Sequence, residues 1–116
     1  MVEINSENFN KEVLGSEKLV MVDFWAPWCV PCKVIAPTVE SIAAERSDRI
    51  KVAKVNVDND PSLATELSIF NIPTIVFFKS GKEHSRLIGV NTKEAIEAKI
   101  DKKRRERGQN HDRWSL

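Results

Sequence analysis

Cysteine is scarce in this chain: Cys29 and Cys32 are the only two in 116 residues, so no disulfide framework can hold the fold together. Charge of one sign is scarce too. Lys plus Arg number 18 and Asp plus Glu 17, a net +1 that gives no global electrostatic case for nucleic acid or for a membrane surface. No apolar run approaches the roughly 20 residues of a bilayer span. The opening Met1-Val2-Glu3-Ile4-Asn5-Ser6-Glu7 lacks the basic flank and apolar core of a signal peptide, so a cytoplasmic protein is expected. What remains is the balance of one globular domain, 41% hydrophobic and 30% charged.

The two cysteines stand three apart. On a helical turn such residues lie roughly 5 Å apart at Cα, within disulfide range. The loop they would close is tiny, and chain-entropy stabilisation grows with loop length, so a bridge there contributes little to folding. A pair that can close or open with little backbone movement points to reversible chemistry. Ahead of it runs Lys18 to Ala26, apolar on both alternating faces except at Asp23, the pattern of a central strand covered on both sides. Behind it, Ile35, Val39 and Ile42 recur at helical spacing to about Ser47. Cys29 therefore sits where a buried strand turns into a helix, and Cys32 falls in the first helical turn.

The remaining chain alternates likewise. A short helix is expected over 6–14, capped by Asn5 or Ser6 and followed by Gly15. A strand is expected over 51–57 and a helix from Asp60-Pro61 to about Leu67. Strands over 74–79 and 83–89 are joined at Ser80-Gly81 as a hairpin, and a last helix is capped by Thr92. Lys99, between Ile96 and Ile100, weakens that helix's apolar face. The whole is one α/β domain over 1–106, with a basic tail at 107–116 and a helix stop at Gly108.

A thiolate is the nucleophile of disulfide exchange, and a helix N-terminus supplies the unpaired N–H groups and dipole end that favour it. Cys29 has that environment and is expected to be exposed; Cys32, one turn in, is expected to be shielded and to resolve. Trp28 and Pro31 offer apolar cover, and Pro31 pre-sets φ near the helix start. Pro37 removes a bond to the Lys33 carbonyl and predicts a kink. Asp23, buried in the strand, would have its pKa raised by desolvation and could serve as a base for Cys32; equally, it could be an ordinary acid satisfied by the backbone or by Lys54.

Trp25-Ala26-Pro27-Trp28-Cys29-Val30-Pro31-Cys32-Lys33, with Asp23 ahead and Ile72-Pro73-Thr74 behind, resembles thioredoxin over about residues 2 to 100. The resemblance implies the thioredoxin fold: a five-stranded mixed sheet flanked by four helices, in the order βαβαβαββα. It implies protein-disulfide reduction in which Cys29 attacks and Cys32 resolves, assisted by Asp23 and its partner Lys54. It makes Pro73 a cis-proline facing the site, and Trp28, Val30, Pro31, Ile72, Pro73, Gly89 and Val90 the groove for a client strand. The resemblance further implies that no cofactor or metal is bound, that reducing equivalents come from NADPH through thioredoxin reductase, and that the protein acts as a monomer on disulfide-containing clients.

The sequence departs from the family's usual pattern at Val30, where Gly is common, and at Phe70, Asn71 and Val90 on the groove rim. Val30 stiffens the turn and adds bulk beside the sulfur, which bears on reduction potential and client range. An oxidase or isomerase on the same fold is therefore the alternative, with a non-catalytic binding module behind it. A zinc site is disfavoured, since His84 and His111 stand at no recognisable ligand spacing from the cysteines.

Overall fold

A computed structural model describes residues 1–101. The tail expected at 107–116, with Gly108 and His111, lies outside the described residues. Five strands form one mixed sheet: β1 (Val2–Glu3), β2 (Leu19–Trp25), β3 (Ile50–Asn56), β4 (Thr74–Lys79) and β5 (Lys82–Ile88), in the spatial order β1-β3-β2-β4-β5. β2 runs parallel to β3 and antiparallel to β4, and β5 closes the far edge antiparallel to β4.

The central strand explains the layering. Residues of β2 alternate between the two faces. Val20, Val22 and Phe24 pack with Ile4, Phe9, Val13, Leu63, Val76 and Phe78 on one side. Leu19 and Met21 pack with Ile35, Val39, Ile42, Phe77, Ile96 and Ile100 on the other. The second face is covered by α1 (Val30–Glu45) and by a last helix, α3 (93–101). The first is covered by α2 (Pro61–Glu66) and a short π-helical turn at Asn10–Leu14. Odd-numbered β2 residues share a face, so Asp23 points to the α1 side.

Local signals place the ends. Asn5 Oδ1 accepts from the Glu7 and Asn8 amides and the Phe9 amide bonds the Asn5 carbonyl, so the coil starts at the expected cap; over Asn10–Leu14 it widens to a π-helical turn, and the Gly15 amide reaches back to the Asn10 carbonyl. Asp60 caps α2 through the Leu63 amide with Pro61 in the first position, and the helix stops one residue short of the expected Leu67. Ser80 and Gly81 both take positive φ, 54° and 79°, as a two-residue type I′ hairpin requires. β3 and β5 each start and end one residue earlier than their apolar pattern suggests. α1 continues through Pro37, which lies on its exposed side.

Lys99 does not leave α3 adrift. Arg46, the C-cap of α1, pairs with Glu97 at 3.3 Å and Asp101 at 3.1 Å, and Lys93 pairs with Glu45 at 2.8 Å, so ionic contacts flank the buried Ile96 and Ile100.

Candidate active site

Cys29 is the N-cap of α1. Its backbone is extended (φ −90°, ψ 107°), and its Sγ accepts from the Cys32 amide at 3.2 Å. Val30 and Pro31 open the helix behind it. Cys29 and Cys32 are joined as a disulfide with Cα atoms 5.3 Å apart, as the spacing predicts. The expected contrast in exposure is absent in this oxidised form, since Cys29 is 2% exposed and Cys32 3%. Ala26, Trp25, Val57 and Ile72 pack around the joined pair.

The roof over Cys29 comes from another part of the chain. The Ile72–Pro73 peptide is cis, and the Ile72 carbonyl oxygen lies 3.8 Å from Cys29 Sγ. The Pro73 carbonyl accepts from the Gly89 amide at 2.8 Å, which draws Gly89 and Val90 to the same rim. Gly89 has φ +87°, while an added Cβ would meet nothing within 4 Å, so backbone conformation and not crowding calls for glycine here. Around the disulfide stand exposed apolar side chains: Trp28, Val30, Val90 and, at 82% exposure, Phe70. A cleft of about 260 Å³ runs from Trp28 and Ile72 past Phe70 towards Pro61 and Ala64.

Beneath the pair lies Asp23, 2% exposed, with one carboxylate oxygen lacking any hydrogen-bond partner. Burial pushes its pKa up to about 6, against the pull of the Lys54 charge. Lys54 is Asp23's register partner on β3, yet no ion pair within 4 Å joins them; its ammonium sits 4.5 Å from the centre of the Trp25 ring. One Asp23 carboxylate oxygen is thus met by neither a hydrogen-bond donor nor an ion pair with Lys54. A cavity of about 90 Å³, lined by Asp23, Trp25, Cys32, Lys33, Ala36 and Lys54, connects the carboxyl to Cys32 and is large enough for water.

One contact was not legible in the sequence. The exposed Trp28 indole donates to both oxygens of Asp58, at 3.2 and 3.0 Å, which fixes the ring beside the disulfide. Asp58 lies thirty residues away in a polar turn, and only tertiary structure brings it there. Among the described residues no group of three or more His, Cys, Asp or Glu side chains could hold a metal ion, and no helix is long and apolar enough to cross a membrane.

The thioredoxin family model matches residues 1–102. The chain belongs to the thioredoxin family. It is 45% identical over 97 residues to a thioredoxin of Mycolicibacterium smegmatis, spanning 82% of this chain and 87% of that one. It is 45% identical over 100 residues to a chloroplastic M-type thioredoxin of Spinacia oleracea, covering 86% of this chain and 55% of the other. It is 42% identical over 95 residues to a bifunctional thioredoxin reductase/thioredoxin of Mycobacterium leprae, covering 82% of this chain and 21% of that one. The chain thus spans nearly all of the first relative and about half of the chloroplastic one. Membership, with a cysteine pair closed at the head of α1, makes this thioredoxin-family chain a thiol–disulfide oxidoreductase and supports protein-disulfide reduction as its activity.

Proposed function

We propose that in this reduction Cys29 is the attacking sulfur and Cys32 the resolving one. The observation that carries the reading is the Cys29 Sγ at the helix head, accepting the Cys32 amide, with apolar side chains exposed around it. In the dithiol form the Cys29 thiolate attacks one sulfur of a client disulfide. The client S–S bond breaks, one client thiolate leaves, and a mixed disulfide forms. Cys32 then loses its proton towards Asp23 through the shared cavity and attacks Cys29 Sγ. The mixed disulfide breaks, the second client thiolate leaves, and two electrons have passed to the client. Lys54 tempers Asp23 without neutralising it, so the carboxyl can exchange a proton near neutral pH.

Trp28, Val30, Pro31, Ile72, Pro73, Gly89 and Val90 form the surface on which a client strand lies. Regeneration falls to an NADPH-dependent thioredoxin reductase; a relative whose name joins reductase and thioredoxin in one chain supports that pairing. The protein works as a monomer in a reducing pool such as the cytosol maintains. The test is Cys32→Ser: attack proceeds and resolution fails, so client adducts accumulate on non-reducing gels. Absence of adducts with Cys32→Ser, or their formation with Cys29→Ser, would reverse the assignment.

A further inference from the structure

β5 and Gly89, the residue that follows it, grip the segment that roofs the disulfide at both ends. At one end the Gly89 amide holds the Pro73 carbonyl. At the other, the Arg86 guanidinium donates to the Leu67 carbonyl at 2.9 Å and the Ser68 carbonyl at 3.2 Å, just past the C-terminus of α2. Glu83 aims that guanidinium with a two-point contact, Nε at 2.6 Å and Nη2 at 2.8 Å.

The backbone at the Arg86 contact needs a hold. Ser68 takes φ +58°, a left-handed conformation unfavourable for a residue with a Cβ. The amides of Leu67, Ser68 and Ile69 are satisfied by carbonyls of α2, at Leu63, Thr65 and Ala64, whereas the Leu67 and Ser68 carbonyls turn outward to the cation. From there Ile69, Phe70 and Asn71 lead straight to Ile72, whose carbonyl lies against Cys29 Sγ. Thr74 Oγ1 fixes the Asn71 carbonyl at 2.6 Å. Without Arg86, the stretch that presents Phe70 and Ile72 is fastened from β5 at one end only.

We infer that Arg86 is a positioning residue for client docking: braced by Glu83, it ties the Leu67 and Ser68 carbonyls to β5 and so fixes residues 69–72 beside the cysteine pair. The inference rests on the reductase reading and adds a residue that touches neither sulfur nor groove. It separates two functions of the site, because the tie governs how the roof meets a protein client and leaves the thiol chemistry at the head of α1 alone.

The test compares wild type with Arg86→Met, which keeps the apolar stem, and Arg86→Lys, which keeps the charge but loses the planar fork. Each is assayed for dithiothreitol-driven reduction of insulin and of hydroxyethyl disulfide, a probe too small to need the roof. Amide hydrogen exchange is followed over 69–72. For Arg86→Met the expected result is a KM for insulin raised about tenfold, with kcat and the small-disulfide rate within about twofold of wild type. Exchange over 69–72 should rise while α1 and β2 stay unchanged, and Arg86→Lys should fall between. Unchanged exchange over 69–72, or parallel loss of both activities, would overturn the inference. If wild type fails to reduce insulin, the reductase reading falls; faster exchange over 69–72 in Arg86→Met then upholds the tie and unchanged exchange overturns it.

Discussion

Asp23 is a residue the fold tolerates at a cost. Folded, it keeps its proton up to about pH 6, against a usual 3.8. Between those values the folded state binds more protons than the unfolded one, so stability is fullest below the window and falls as pH rises through it. Asp23→Asn should therefore be nearly neutral for stability at pH 3.5 and stabilising at pH 8, on the order of 3 kcal/mol. Urea unfolding at the two pH values checks it; a difference independent of pH would show that Asp23 does not titrate in that range. The same variant should slow disulfide exchange near neutral pH, and an unchanged pH–rate profile would deny the carboxyl its part in deprotonating Cys32. Asp23 was visible in the sequence because a lone acid in an apolar strand is conspicuous. Its lack of an ion pair was not, since register alone does not say that Lys54 turns to Trp25. Asp58 is the complementary case: Asp58→Ala should free the Trp28 ring, visible as altered indole fluorescence, and lower client reduction severalfold while leaving stability within about 1 kcal/mol. Unaltered fluorescence would mean that the hydrogen bond does not hold the ring.

At the scale of elements, α1 does two jobs with its two ends. Its head presents Cys29, and its tail holds α3 through Arg46 and Glu45. Arg46→Ala removes contacts to Glu97 and Asp101 that are partly shielded from solvent, so a loss of about 1 kcal/mol is expected, smaller in high salt. Thermal unfolding at low and high salt measures it, and a loss insensitive to salt would point to packing of the Arg46 stem instead. Elements were legible where local chemistry decides them. The Asp60-Pro61 start of α2, the Ser80-Gly81 turn and the buried run of β2 are written in neighbouring residues. Ends and helix type were less so, as the π-helical widening over Asn10–Leu14 and the one-residue offsets of β3 and β5 illustrate, because there tertiary packing outweighs local preference. The Arg86 tie was invisible for the same reason: its partners are backbone carbonyls some twenty residues away, and any sequence offers those.

The molecule as a whole is a sheet that fixes the relation between a sulfur pair and its surroundings. β2 supplies Asp23 from below, α1 supplies the cysteines, and the β4–β5 hairpin brings the cis-proline segment and Gly89 over them. The family could be read in the sequence because Trp28 to Lys33, Asp23 and Ile72-Pro73-Thr74 are local motifs whose order survives without coordinates. What Val30 does to the balance between reducing and oxidising chemistry is a property of the assembled site. Val30 is largely exposed at the helix start, so its bulk acts on the sulfurs' surroundings and on clients, and not on the core. The reduction potential of the Cys29–Cys32 pair, measured by equilibration in defined thiol–disulfide buffers, tests the central claim most directly. A protein-disulfide reductase requires a value below roughly −240 mV, and that is the result predicted here. A value near about −200 mV or higher would contradict it and make the chain an oxidant or isomerase on the same fold.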